Sequence, residues 1–177
     1  MRQTILTAFA IAFLAGAAQA AEFEGCAMTG PMRSTTLEDA RANSDCEKKN
    51  DGQDTINECE LYRFVLSQAT LTEAYNRALP AIAKFKRPAL DKAKTDFKAS
   101  FSRSQAAWCA YREASCTFDA DSLEGGSMQP MIAFSCRREK NEARIKALDT
   151  LVTCYQGGDC QWPPLLYRYE MFPSEAP

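Results

Sequence analysis

Histidine is absent from all 177 residues. Without imidazole there is no Ser-His-Asp or Cys-His nucleophile pair, no His-ligated metal site and no histidine pH switch. No two cysteines stand in a C-x-x-C spacing, which removes the thioredoxin redox motif and the usual zinc-knuckle arrangement. A basic surplus is missing as well: 21 Lys and Arg against 23 Asp and Glu leave a formal charge of −2. Phosphate binding needs positive charge gathered on one face, so this balance argues against a nucleic-acid partner. Beyond the first twenty residues no apolar run approaches the roughly 20 residues of a membrane span, and there are no repeats or low-complexity tracts. Chemistry would fall to carboxylates, lysine or thiol. What remains, 46% apolar and 25% charged, is the composition of one ordinary globular domain.

Arg2 is the only charge before Glu22, and Ile5 to Ala17 form an apolar run without an ionisable group. Ala18-Gln19-Ala20 then supplies the small-x-small pattern of a signal-peptidase site. The expectation is a cleavable signal peptide at 1–20, export to the periplasm, and no lipid anchor, since no cysteine stands directly at the cleavage point.

Helical periodicity dominates the rest. From Thr55 to Phe85 the apolar positions Ile56, Cys59, Leu66, Ala69, Ala74, Ala78, Leu79 and Ile82 recur at helical spacing. Thr55 with Glu58 forms a capping-box pattern at its start, and Pro80 predicts a kink or a stop just before it. A second helix is expected from Pro88 to about Cys116, with Leu90, Ala93, Phe97, Phe101, Trp108 and Tyr111 turned inward. After the acidic stretch Asp119 to Glu124 and Gly125-Gly126, Ser127 is a good N-cap for a third helix, with Pro130 in its first turn and Gly157-Gly158 as terminators. One short helical turn is expected around Leu37 to Ala42. The fold class that follows is all-α: a three-helix bundle whose first two long helices form an antiparallel hairpin. Its parts are an N-terminal loop segment (21–54), the helical domain (55–155) and a C-terminal aromatic arm (156–177).

The cysteine count is even, at 8, and all follow the signal segment, which reads as a disulfide framework in an exported chain. Cys116 and Cys136 flank the connection between the second and third helices, and a bridge there would clamp the corner. Cys46 and Cys59 flank the entry to the first long helix in the same way. Cys154 and Cys160 are close across the double glycine, which leaves Cys26 with Cys109 by elimination. No metal site and no cofactor are expected.

Gln105, Trp108, Tyr111, Arg112, Glu113 and Cys116 sit in one helix, followed by Glu124-Gly125-Gly126-Ser127, Cys136 and Arg144. Upstream stand Cys46, Asn57-x-Cys59, Leu71, Ala74-Tyr75-Asn76 and Leu79. This pattern, spanning Cys46 to Leu151, resembles the LprI-like lysozyme-inhibitor family. Cys26, Cys109, Cys154 and Cys160 are additions to the family's pattern, and the lipid-anchor cysteine of its name-giving member has no counterpart. The resemblance implies a non-enzymatic periplasmic protein that binds and inhibits lysozyme or a related cell-wall hydrolase. The alternative is an envelope interaction or ligand-binding module without inhibitory action, and a carbohydrate-active enzyme using Asp119 or Glu124 is more remote.

The residues expected to meet a partner are Asp119, Asp121 and Glu124, the turn Gly125, Gly126 and Ser127, and Arg112. C-type lysozymes are strongly basic, and an acidic, disulfide-braced protrusion would be steered toward them. Each of these residues also has a structural reading: a solvated loop, a helix-start turn, and an arginine that ties a corner from within.

Overall fold

A computed structural model describes Cys26 and residues 35–45, 52–84 and 96–157. Among these the elements are four helices: α1 (Leu37–Asn43), α2 (Gln53–Lys84), α3 (Phe97–Asp121) and α4 (Gln129–Tyr155). The expected signal peptide and C-terminal arm lie outside the described residues. No described helix is long and apolar enough to cross a membrane.

The short α1 forms because Thr36 and Asp39 cap it reciprocally. The Thr36 hydroxyl accepts from the Asp39 amide at 3.0 Å, and the Asp39 carboxylate accepts from the Thr36 amide at 3.2 Å. The hydrogen bond from the Thr36 hydroxyl holds the Asp39 carboxyl below its ordinary range. Ala40 is fully buried on the inner side of this turn.

The long helices depart from expectation at their ends. α2 starts at Gln53 rather than at a Thr55 capping box, because Gly52 takes a positive φ of 116° that turns the chain into the helix two residues earlier. It also continues through Pro80 to Lys84. Ala81 and Ile82 beyond the proline are buried in the core, and that burial offsets the hydrogen bond the ring removes. α3 begins at Phe97 and not at Pro88, since Asp96 is its N-cap and accepts from the Ala99 amide at 2.9 Å. It runs past Cys116 to Asp121. α4 starts after Met128 without a side-chain cap. Ser127 instead gives its carbonyl to the Asn57 side-chain amide at 2.9 Å. Gly157, at φ 110°, terminates α4 as expected.

α3 runs antiparallel to α2 and α4, which are parallel to each other. Gln68 and Tyr75 of α2 meet Arg112 and Ser102 of α3, in reversed order. Ser67 and Arg77 of α2 meet Asn141 and Asp149 of α4, in the same order. Between the helices lies an apolar core of Leu71, Ala74, Tyr75, Ala78 and Ile82 with Phe101, Trp108, Leu148 and Leu151. Tyr75 and Phe101 stack with centroids 5.3 Å apart. Each large side chain removed from water here contributes about 1.5–3 kcal/mol.

Two bridges staple the bundle as expected: Cys116–Cys136 at the α3–α4 corner and Cys26–Cys109, which ties the N-terminal segment to the middle of α3. Cys59 and Cys154 are disulfide-bonded as well. Their expected partners, Cys46 and Cys160, lie outside the described residues.

Candidate functional site

The feature that stands out from the bundle is its α3–α4 corner, residues 118–128. After Cys116 the α3 helix continues for about one more turn to Asp121 and is capped by Ser122, whose amide donates to the Ala120 carbonyl. Successive tight turns follow: the Leu123 amide donates to Ala120 O, Glu124 to Asp121 O and Gly126 to Leu123 O, at 2.8–3.1 Å. Gly125 holds φ at 76°, a left-handed conformation that side-chain-bearing residues avoid. A Cβ on Gly126 would sit 3.0 Å from the Leu123 carbonyl oxygen. Both glycines are therefore needed for the chain to reverse this sharply. The Cys116–Cys136 bridge spans the base of the reversal, and in the chain-entropy picture a loop of this size stabilises by about 3 kcal/mol.

On this scaffold Asp119, Asp121 and Glu124 are all exposed, as are Gly125, Gly126 and Ser127. Three apolar side chains of the corner also face water: Phe118 at 78% exposure, Met128 at 45% and Leu123 at 37%. Reading the sequence for charge missed this apolar component. Its signal was phase: Phe118 follows Cys116 by two residues, which at about 100° per residue puts it on the far side of α3 from the core.

Arg112 occupies the opposite environment. It is 1% exposed and lies over the rings of Phe64 and Trp108, at 5.5 and 5.6 Å from their centroids. One terminal nitrogen donates to Gln68 Oε1 on α2 and to Asn141 Oδ1 on α4, both at 2.6 Å. The other, with Nε, donates to Glu113 Oε1. Glu113 Oε2 in turn accepts from Arg137 Nε at 2.8 Å. One guanidinium thus ties all three long helices just below the corner, and Arg112 reaches no partner surface.

Burial lowers the Arg112 pKa, against the opposing pull of Glu113. Burial by itself would raise the Glu113 carboxyl, but hydrogen bonds and charge from Arg137 and Arg112 outweigh it and hold it below its ordinary value. Next to this layer, Arg144 Nε donates to Gln105 Oε1 at 2.8 Å and its guanidinium lies 5.4 Å from the Trp108 centroid.

Trp108 is buried, as its place on the inner stripe suggested, but Tyr111 is not: it is 54% exposed and its ring lies 4.9 Å from Lys140 Nζ. The inward line of α3 is Phe101, Gln105, Trp108, Arg112 and Cys116. A hydrophobic stripe skips Gln105 and Arg112 and so slides onto the neighbouring tyrosine.

The corner exposes three acidic residues, with Asp119 Oδ2 3.4 Å from the Cys136 sulfur of the bridge, an arrangement that can attract a basic surface. Among the described residues no group of three or more Cys, Asp and Glu is placed to hold a metal ion. A shallow groove of about 460 Å³ between α2 and α4 is edged by Arg63, Arg138 and Glu142. Its charges are satisfied within it, Arg138 lying between Glu60 and Glu142 at 3.1 and 3.0 Å.

A family model described as "Lysozyme inhibitor LprI" matches residues 46–148, more than half of the chain. The chain belongs to the LprI lysozyme-inhibitor family. The LprI match takes in α2, α3, the corner and most of α4, close to the span over which the sequence resembled the family; α1 and Cys26 precede it. An uncharacterized protein of Rhizobium meliloti (strain 1021) is 28% identical over 115 residues, covering 61% of this chain and 78% of that protein. No solved structure matches.

Proposed function

We propose that this LprI-family protein is a non-enzymatic periplasmic inhibitor that binds a basic lysozyme-type hydrolase with its α3–α4 corner. The observation that carries this reading is the corner itself: Asp119, Asp121 and Glu124 exposed around Phe118, Leu123 and Met128 on a turn braced by a disulfide. The acids steer a basic enzyme and the apolar side chains supply the contact that survives once water is expelled. Gly125 and Gly126 shape the turn, Ser127 fixes it to α2, and Arg112 supports it from inside. Export is supported by the apolar N-terminal run and by the bridges, which persist in an oxidising compartment.

Titration of the purified protein into a c-type lysozyme acting on cell-wall substrate tests this. Inhibition at micromolar protein is expected at low salt, weakening as salt screens the acids. The variant Asp119→Asn/Asp121→Asn/Glu124→Gln is expected to need about tenfold more protein at low salt and to approach the parent at high salt. No slowing of the enzyme at micromolar protein and low salt removes the proposal for that enzyme class.

A further inference from the structure

The outer face of α3, which shares Phe118 and Asp121 with the corner, carries a pattern along its whole length that the lysozyme reading does not explain. Every exposed position of α3 from Ser104 to Phe118 is uncharged. Two are large, Tyr111 and Phe118, at 54% and 78% exposure. At about 100° per residue both rings share a line with Ala107 and Ala114, and Ala110 flanks it. A helix face that stays in water normally carries charge on nearly every turn; here about four turns pass without any. Among α3's own exposed residues charge returns only at the two ends, with opposite sign, while Lys140 of α4 edges the face beside the Tyr111 ring. Arg103 precedes the apolar span and Asp121 follows it, both exposed and both in phase with Ala110 and Ala114.

We propose that this face is the contact between two copies of the chain, α3 lying antiparallel on α3 about a twofold axis at the level of Arg112. The spacing sets the pairs. In that arrangement Phe118 rests on Ala107 of the partner subunit and Tyr111 on Ala114 of the partner subunit, each ring against a methyl, and symmetry repeats both contacts. Arg103 meets Asp121 of the partner subunit at each end. A parallel arrangement would set arginine against arginine and aspartate against aspartate, so the charges select the antiparallel one. They also select the occupant: a uniformly basic or uniformly acidic partner would meet a like charge at one end, whereas a second copy is complementary at both.

Arg103 to Asp121 spans about 27 Å of helix. Two helices packed over that length bury on the order of 1,000 Å² in total, the low end for a specific interface, so the pair forms at micromolar concentrations and above. The two acidic corners then lie at opposite ends of the dimer.

Sedimentation equilibrium of the disulfide-intact chain, without any lysozyme, from about 1 to about 500 μM tests the proposal. A monomer–dimer equilibrium is expected. Ala114→Glu, at an exposed site that leaves helix content unchanged by circular dichroism, is expected to raise the dimer Kd about tenfold or more. Arg103→Glu and Asp121→Arg each bring like charges together at both ends and are expected to raise it about tenfold. Combined, they restore opposite signs and return Kd to within about threefold of the parent. A chain that stays monomeric throughout, a dimer indifferent to Ala114→Glu, or a charge exchange that fails to restore association each overturns the proposal. Because lysozyme takes no part, this result is independent of whether the corner inhibits.

Discussion

At the scale of single residues, Arg112 shows how a polar side chain can be the centre of a small core. It is 1% exposed, yet its donors are matched by Gln68, Asn141 and Glu113. Removing it leaves Asn141 Oδ1 without its donor, Gln68 Oε1 with only the longer 3.4 Å bond from Asn141 Nδ2, and a void between three helices. Arg112→Ala is expected to cost about 3–5 kcal/mol, read by urea unfolding. A loss below about 1 kcal/mol would show that Gln68 and Asn141 find other partners. The neighbouring Glu113 sets a pH dependence. Its carboxyl is held below the ordinary value of 4.5, so its pairing stabilises the fold fully above that value and the contribution is lost as pH falls through the lower folded value. Glu113→Gln should therefore lower the melting temperature at pH 7, with the gap from the parent narrowing toward pH 3. A gap that does not change with pH would assign the loss to packing instead.

At the scale of elements, the α3–α4 turn depends on backbone geometry more than on its charges. Gly125 is at φ 76° with open space around its missing Cβ, so substitution there strains the backbone without a clash. Gly125→Val is expected to destabilise by about 1–2 kcal/mol and to weaken lysozyme inhibition by displacing Glu124. Equal inhibition by both proteins would mean that the turn's shape does not matter for binding. Helix ends were the least legible elements in the sequence, and each for a local reason. Proline's tolerance of a first turn points to Pro88 as the α3 start, but Asp96 satisfies an orphan amide and takes the position. Ser127 has the right chemistry for a cap, yet α4 starts one residue later, after Met128, and the Ser127 carbonyl is held by Asn57, a residue 70 positions away that no local window contains. Pro80 does not end α2, since tertiary burial of Ala81 and Ile82 carries the helix past it.

At the scale of the whole molecule, the Cys26–Cys109 bridge joins residues 83 apart in sequence and fastens the N-terminal segment across α3. In the chain-entropy picture a closure of that length contributes about 4–5 kcal/mol, more than the corner bridge. The double variant Cys26→Ala/Cys109→Ala is expected to lose thermal stability by well over ten degrees while retaining helix content at low temperature. A melting temperature within a few degrees of the parent would show that α1 and the N-terminal segment are held by packing alone. Gln68 Nε2 and Gln105 Nε2, buried without partners among the described residues, show that the fold tolerates some unmatched polar atoms next to its arginine ties. Each such donor costs about 1–3 kcal/mol.

What the amino-acid order determined by itself was class and covalent frame. Helical periodicity, an even set of cysteines and a glycine-glycine-serine corner were enough for an all-α bundle, two of its bridges and its family. Most of these are short-range properties, such as spacing along one helix or two cysteines on either side of one connection; Cys26–Cys109, 83 residues apart, follows from the sequence only by elimination. Exposure was decided only in three dimensions. That Tyr111 and Phe118 face water while Gln105 and Arg112 are buried depends on which side of α3 meets α2 and α4. An arginine belongs in a core only where facing helices bring Gln68, Asn141 and Glu113 within reach. A hydrophobic pattern ranks side chains one at a time, and burial of a polar group is settled by partners that only the packed helices bring together.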